Sequence, residues 1–207
     1  MGINIRKATS ADGSFLAEMI LQSTRADKKI GVFDLIFKTK NDEETLKNLE
    51  KLTNTTSKSS CHFSNFLIAE IDGKSVGSLA SYEPRLITKE TFISALEEIG
   101  VNAEENEYFG LMDICGFVLN SRTLVFDYME ELEGFMDVGI LKALMQKSLL
   151  TARLKGYRIA QTIVEIGSLE TLLYYKKLGF KEVKQKDCEP YKEIFGRPGL
   201  VLLSIEF

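Results

Sequence analysis

The run from Phe66 to Tyr82 constrains this chain more than any other stretch. Two apolar, β-prone segments, Phe66 to Ile71 and Ser75 to Tyr82, flank the pair Asp72-Gly73. An Asp-Gly pair readily takes the left-handed backbone that a tight hairpin turn needs, so these residues predict two antiparallel strands. A hairpin alone cannot bury its apolar face, and the rest of the chain must supply the cover. Ile3 to Ala8 alternates as a strand does, and Thr9, Ser10 and Asp12 offer caps to a helix carrying Phe15, Leu16, Met19 and Ile20. Asn41-x-x-Glu44 resembles a capping box ahead of a helix with Leu46, Leu49 and Leu52 on one face. Thr88 to Ile99 reads as a helix stopped by Gly100, and 101–122 leaves room for another, which makes 85–122 a helical insertion. Thr123 to Leu132 follows as a strand. Gly139 to Lys155 is the strongest helical stripe, with Ile140, Leu141, Leu144, Met145, Ser148, Leu149 and Ala152 inward. Ile159 to Ile166 is a strand, Ser168 caps a helix ending at Gly179, and Phe180 to Val183 and Leu200 to Phe207 close the chain as strands. A loop holding Pro190 and Pro198 separates these last two. The order describes one domain over 1–207, a mixed α/β sheet with helices on its faces.

The chain carries 26 basic and 30 acidic residues, a net charge of -4, which argues against nucleic acid as the main partner. Cys61, Cys115 and Cys188 are odd in number and in no CxxC spacing, so they read as unpaired, buried residues in a reducing compartment. His62 is the single histidine. A metal site or a catalytic triad built on a second histidine is therefore out of reach, although His62 is available as the base of a nearby nucleophile. No apolar run approaches the ~18 residues of a membrane span, and the expected location is cytoplasmic with no membrane partner.

The segment Gly167-Ser168-Leu169-Glu170-Thr171-Leu172-Leu173-Tyr174-Tyr175-Lys176-Lys177-Leu178-Gly179-Phe180 resembles the N-x-x-A-I-x-x-Y-x-x-x-G-F stretch of the GNAT N-acetyltransferases. Ser168 stands at the Asn position and Tyr175 at the Tyr. The resemblance covers 123–185, and the opening INIRKAT-x-x-D is similar to that family's first strand and helix cap. It implies a mixed, mostly antiparallel central sheet with helices on both faces and the insertion placed before the central strand. It also aligns Met136-Asp137-Val138-Gly139-Ile140-Leu141 with the family's R/Q-x-x-G-x-G/A turn, of which only Gly139 is retained. In the family that turn offers backbone N–H groups and a helix start to the pyrophosphate of coenzyme A. Leu141 adds bulk there, and Asp137 adds a negative charge.

The implied function is transfer of an acetyl group from acetyl-CoA to a primary amine, without a metal. Met136, Asp137, Val138, Gly139, Ile140, Leu141 and Ser168 would hold the cofactor together with Tyr175, and backbone groups near Glu130 and Glu131 would pair with the pantetheine arm. Tyr175 would protonate the departing thiolate, or else pack its ring against the sheet. Along the central strand Asp127 and Glu131 share one face and Glu130 takes the other, unless the register shifts by one residue. A carboxylate among them would take the proton of the amine, with Asp127 and Glu131 as the first candidates. With Glu133 nearby, this acidic strand favours a cationic acceptor. A non-catalytic module of the same fold, binding an acyl-CoA or a protein, is the alternative. The Phe-rich stretch Val32 to Phe37 lines either the cleft or the core.

Overall fold

The structure, a computed structural model, describes residues 2–103, 105–136 and 138–207. All seven strands join one sheet in the order β1-β2-β3-β4-β5-β7-β6. The strands are β1 (Ile3–Lys7), β2 (Phe66–Ile71), β3 (Lys74–Tyr82), β4 (Leu124–Glu131), β5 (Ile159–Glu165), β6 (Lys181–Asp187) and β7 (Gly199–Glu206). Every neighbouring pair is antiparallel except β4 with β5. The predicted hairpin is present: Asp72 (φ 51) and Gly73 (φ 79) both take left-handed backbone at the turn between β2 and β3.

Among the described residues eight α-helices flank the sheet: α1 (Gly13–Arg25), α2 (Val32–Phe37), α3 (Asp42–Leu52), α4 (Lys89–Glu98), α5 (Glu107–Cys115), α6 (Ile140–Leu154), α7 (Leu169–Lys177) and α8 (Glu189–Phe195). α6 and α7 cover one face, over a core of Phe126, Ile140, Leu144, Tyr175, Phe180 and Leu203. α1 to α5 lie over the other, where Leu16, Phe33, Leu49, Phe66, Leu96 and Tyr128 pack together. α8 joins that second face through a third cluster built on Tyr191, Phe195 and Leu200. The start of α1 is secured where the sequence offered its caps. Asp12 accepts from the Thr9 N–H at 2.7 Å and takes a two-pronged bond from Arg6 at 2.8 and 2.7 Å. These bonds hold the Asp12 carboxyl down at about 2. Asn41 caps α3 by accepting from the Glu44 N–H at 2.9 Å.

Of the two readings of Val32 to Phe37 the core one holds, as a helix with Phe33 and Ile36 buried. Other expectations are corrected. The segment read as a loop around Pro190 contains α8, and proline in a first turn costs nothing because its missing N–H had no helical partner. β6 runs to Asp187 rather than stopping at Val183, an edge strand whose largely charged surface hides it from an alternation test.

The cysteine reading also changes. Cys115, at the end of α5, is disulfide-bonded to Cys188, which precedes α8, with Cα atoms 5.6 Å apart. Two of the three cysteines are thus paired, and the support they lent to a reducing, cytoplasmic setting falls away. Cys61 is free and buried, its thiol pushed up to about 12 by desolvation. His62 Nδ1 accepts from the Ser64 N–H at 3.2 Å and lies 2.8 Å from the Ser64 hydroxyl, and burial lowers its pKa. Neither residue is placed as a nucleophile and base. The disulfide closes a sequence separation of 73, and chain-entropy reasoning values a loop of that size at about 4 kcal/mol. Replacing both partners with serine should lower stability by that order in denaturant unfolding. Identical midpoints with and without reductant would show the thiols unpaired.

Candidate active site

β4 and β5 run parallel and pair only at Leu124 with Ala160 and Val125 with Gln161. β4 continues to Glu131 and β5 to Glu165, so the two strands part beyond that short contact. The cause lies in β4. Ser78 and Ala80 of β3 face Glu130 and Asp127, so a three-residue step on β4 opposes a two-residue step on β3. This is a bulge, and Tyr128 sits in it with left-handed backbone at φ 48. Its ring, buried and stacked on Phe66 at 6.0 Å, stabilises the unusual conformation. Its hydroxyl lies 3.4 Å from the Cys61 sulfur. From Phe126 onward the edge of β4 that faces β5 has no strand partner. Such an edge suits an extended, amide-bearing chain.

The bulge also corrects the facing of the carboxylates. Asp127 and Glu130 share the α1 face, because their partners Ala80 and Ser78 do. Glu131 points to the α6 face, opposite Gly77, where an added Cβ would come within 2.7 Å of the Ile140 side chain. Asp127 accepts from the Tyr128 N–H at 2.9 Å and faces the Tyr82 hydroxyl at 3.4 Å, and burial pushes its carboxyl up to about 6. Glu130 is pushed up to about 7, first by burial and then by the nearby charges of Glu131 and Asp27. Its Oε1 accepts from the Glu131 N–H at 3.2 Å. The Glu131 carbonyl accepts from Gln22 of α1 at 3.2 Å, and Glu133 lies exposed beyond the strand.

Tyr175 enters the fork from the other face. It is buried and edge-on to Phe180 at 5.1 Å, and its phenol lies near Thr162 of β5, one residue past the last β4–β5 pair. Burial raises its pKa, so it stays protonated at neutral pH.

Among the described residues no side chain caps either helix that starts at the open end. α6 has no side-chain cap, and its N-cap is Gly139 at φ 91, a conformation that favours glycine. Met136 and Val138 are exposed, whereas Ile140 is fully buried and offers only its backbone. Leu141 packs against the α6-side core, which uses the bulk the sequence seemed to place in the turn. Asp137 lies outside the described residues. Ser168 precedes α7 and bonds Thr171 at 3.1 Å instead of capping a backbone amide. Among the described residues no three His, Cys, Asp or Glu side chains converge as a metal would require, and no helix is long and apolar enough to cross a membrane.

One cluster was not read from the sequence. Glu165, at the end of β5, receives Lys28, the Tyr191 hydroxyl at 2.8 Å and Arg197 at 3.6 Å. These residues are far apart in the chain and in no motif, so no local signal announces them.

The sequence matches no protein-family profile and no curated protein. Solved structures, however, share the whole architecture. An N-acetyltransferase from Staphylococcus aureus Mu50 superposes with a TM-score of 0.71 at 16% identity, covering 98% of this chain and 100% of the other. An acetyltransferase of the GNAT family from the same organism does so at 0.56 and 15%, covering 99% of each chain. The PaiA N-acetyltransferase of Thermoplasma acidophilum, solved with coenzyme A, gives 0.57 at 14% over 100% of both. The likeness is one of fold: this chain has the fold of the GNAT acetyltransferases.

Proposed function

We propose that this chain, built on the GNAT fold, transfers an acetyl group from acetyl-CoA to a primary amine, carried on a small cationic molecule or on a protein or peptide, by direct attack. The observation that carries this reading is the fork between β4 and β5. Among the described residues it combines a β4 edge without a strand partner, an α6 start without a side-chain cap beside it, a protonated phenol on one face and a carboxylate of raised pKa on the other. The β4 edge suits the amides of a pantetheine arm, and the start of α6 suits a pyrophosphate. Acetyl-CoA supplies a carbonyl carbon and a thiolate leaving group. Glu130 takes one proton from the ammonium and frees the lone pair that attacks that carbon. As the C–N bond forms and the C–S bond breaks, Tyr175 gives its proton to the sulfur. The proton shed by the acetylated nitrogen then restores the phenol through solvent. Holding both partners in one cleft supplies much of the acceleration.

Glu130 replaces Asp127 and Glu131 as the base in this assignment. Glu131 is on the wrong face, and Asp127 is enclosed beside Tyr82 and Tyr128.

Calorimetric titration with acetyl-CoA should show saturable binding, and a ligand at 100 times its dissociation constant should add ~2.7 kcal/mol of stability. Gly139→Trp should weaken binding, because left-handed backbone costs a non-glycine residue about 1–3 kcal/mol and the ring obstructs the turn. Saturable binding with no amine acetylated across a broad panel would favour a non-catalytic acyl-CoA-binding module. No heat and no thermal shift at millimolar acetyl-CoA would defeat the cofactor reading itself.

A further inference from the structure

The Glu165 cluster has no part in the steps above, yet it stands at the same open end. α1 packs on β4, and the linker that follows it carries Lys28 across to β5, where its ammonium pairs with the Glu165 carboxylate. Both side chains are largely removed from water, at 13% and 12% exposure. A desolvated ion pair is a poor source of stability, since the loss of hydration offsets most of the attraction. The geometry around the ammonium is that of a binding seat. Glu165 Oε1 accepts from Lys28 and from the Tyr191 hydroxyl, and the Lys28 nitrogen lies 4.9 Å from the centre of the Phe195 ring. A carboxylate oriented by the Tyr191 hydroxyl and an aromatic face together make a site for a cationic nitrogen. Arg197 occupies the other side of Glu165, anchored by its bond to the Gly167 carbonyl at 3.2 Å. The backbone of Lys28 is held separately, by its own N–H donating to Arg25 O at 2.9 Å. Its side chain can therefore withdraw without unravelling the linker. Asp27, next in the chain, acts electrostatically on Glu130, which ties the linker to the proposed base.

We propose that Glu165, Tyr191 and Phe195 form a seat for a second cationic nitrogen of the acceptor, filled by Lys28 until the acceptor displaces it. The inference rests on the amine-acetylation reading and names its acceptor class: a diamine, one nitrogen of which meets Glu130 while the other stays an ammonium in the seat. Exchange of one ammonium for another leaves the charge of the seat unchanged, and the released Lys28 regains its hydration. A monoamine can fill the seat or meet Glu130, but not both at once.

The test is calorimetric titration of the full chain, with and without saturating acetyl-CoA, using straight α,ω-diamines of three to six carbons and the matching monoamines. In the wild type one of the diamines should bind more tightly than its monoamine. Lys28→Ala should tighten that diamine about tenfold and Glu165→Gln should weaken it about tenfold, with the diamine remaining the tighter ligand in Lys28→Ala (tenfold being ~1.4 kcal/mol). Equal affinity for diamines and monoamines, or weaker diamine binding in Lys28→Ala, would overturn the proposal. Should Glu165→Gln fail to fold, the Lys28→Ala titration decides by itself. Acetyl-CoA affinity is read in the same samples. Its absence would sink the acetyltransferase reading, while the diamine titration without acetyl-CoA still reports on the seat.

Discussion

Replacing Glu130 with glutamine is expected to lower kcat/KM by roughly 10²–10⁴-fold, the range over which a positioned general base acts. The change is nearly isosteric, so acetyl-CoA affinity should hold. The pH profile provides a sharper mark. Glu130 is a base only when ionised, and burial has raised its pKa to about 7. Wild-type kcat/KM should therefore climb with pH through about 7 and level off above it, and the glutamine variant should lack that step. Stability carries the opposite sign. A carboxyl whose folded pKa exceeds its unfolded value near 4.5 favours the folded state at low pH. That contribution falls away as pH rises from the unfolded value through about 7. The wild type should lose stability over that window relative to Glu130→Gln. If the step in the wild type lies near 6 and is removed by Asp127→Asn instead, Asp127 is the base, since its own carboxyl sits there.

Tyr175→Phe should reduce kcat by on the order of 10²-fold, the low end for general acid catalysis, with KM for acetyl-CoA little altered. The phenol lies near Thr162 at the root of the fork, and burial keeps it protonated. The same burial makes Tyr175 a member of the core, packed edge-on against Phe180. Tyr175→Ala should therefore cost about 3–5 kcal/mol of stability by leaving a cavity, whereas the phenylalanine variant keeps the ring. Comparing the two variants separates proton donation from packing. Full activity in Tyr175→Phe would remove the residue from the chemistry and leave the thiolate to solvent.

Much of this molecule was legible in its residues. The Asp72-Gly73 turn, the glycine start of α6 and the helix leading to Gly179 each answer to a backbone demand settled within a few neighbours. The stripe of Ile140, Leu144, Met145, Ser148 and Ala152 fixes which side of α6 is buried, because helical period alone aligns them. The short elements α2 and α8 escaped notice because six or seven residues are too few to display a period.

The candidate site divides along the same line. Tyr175, Gly139 and the acidic run of β4 could be named from local pattern. Which carboxylates share a face could not, because one inserted residue at Tyr128 exchanges the two faces of a strand, and that bulge is stabilised by a ring stacked on Phe66 in another strand. The pairing of Cys115 with Cys188 and the meeting of Lys28 with Glu165, 137 residues apart, are later consequences still. Dihedral preference and hydrophobic period act between neighbours and are written in the chain. Ion pairs, disulfides and strand facing depend on distances that exist only once the sheet has closed its order and the helices have packed upon it.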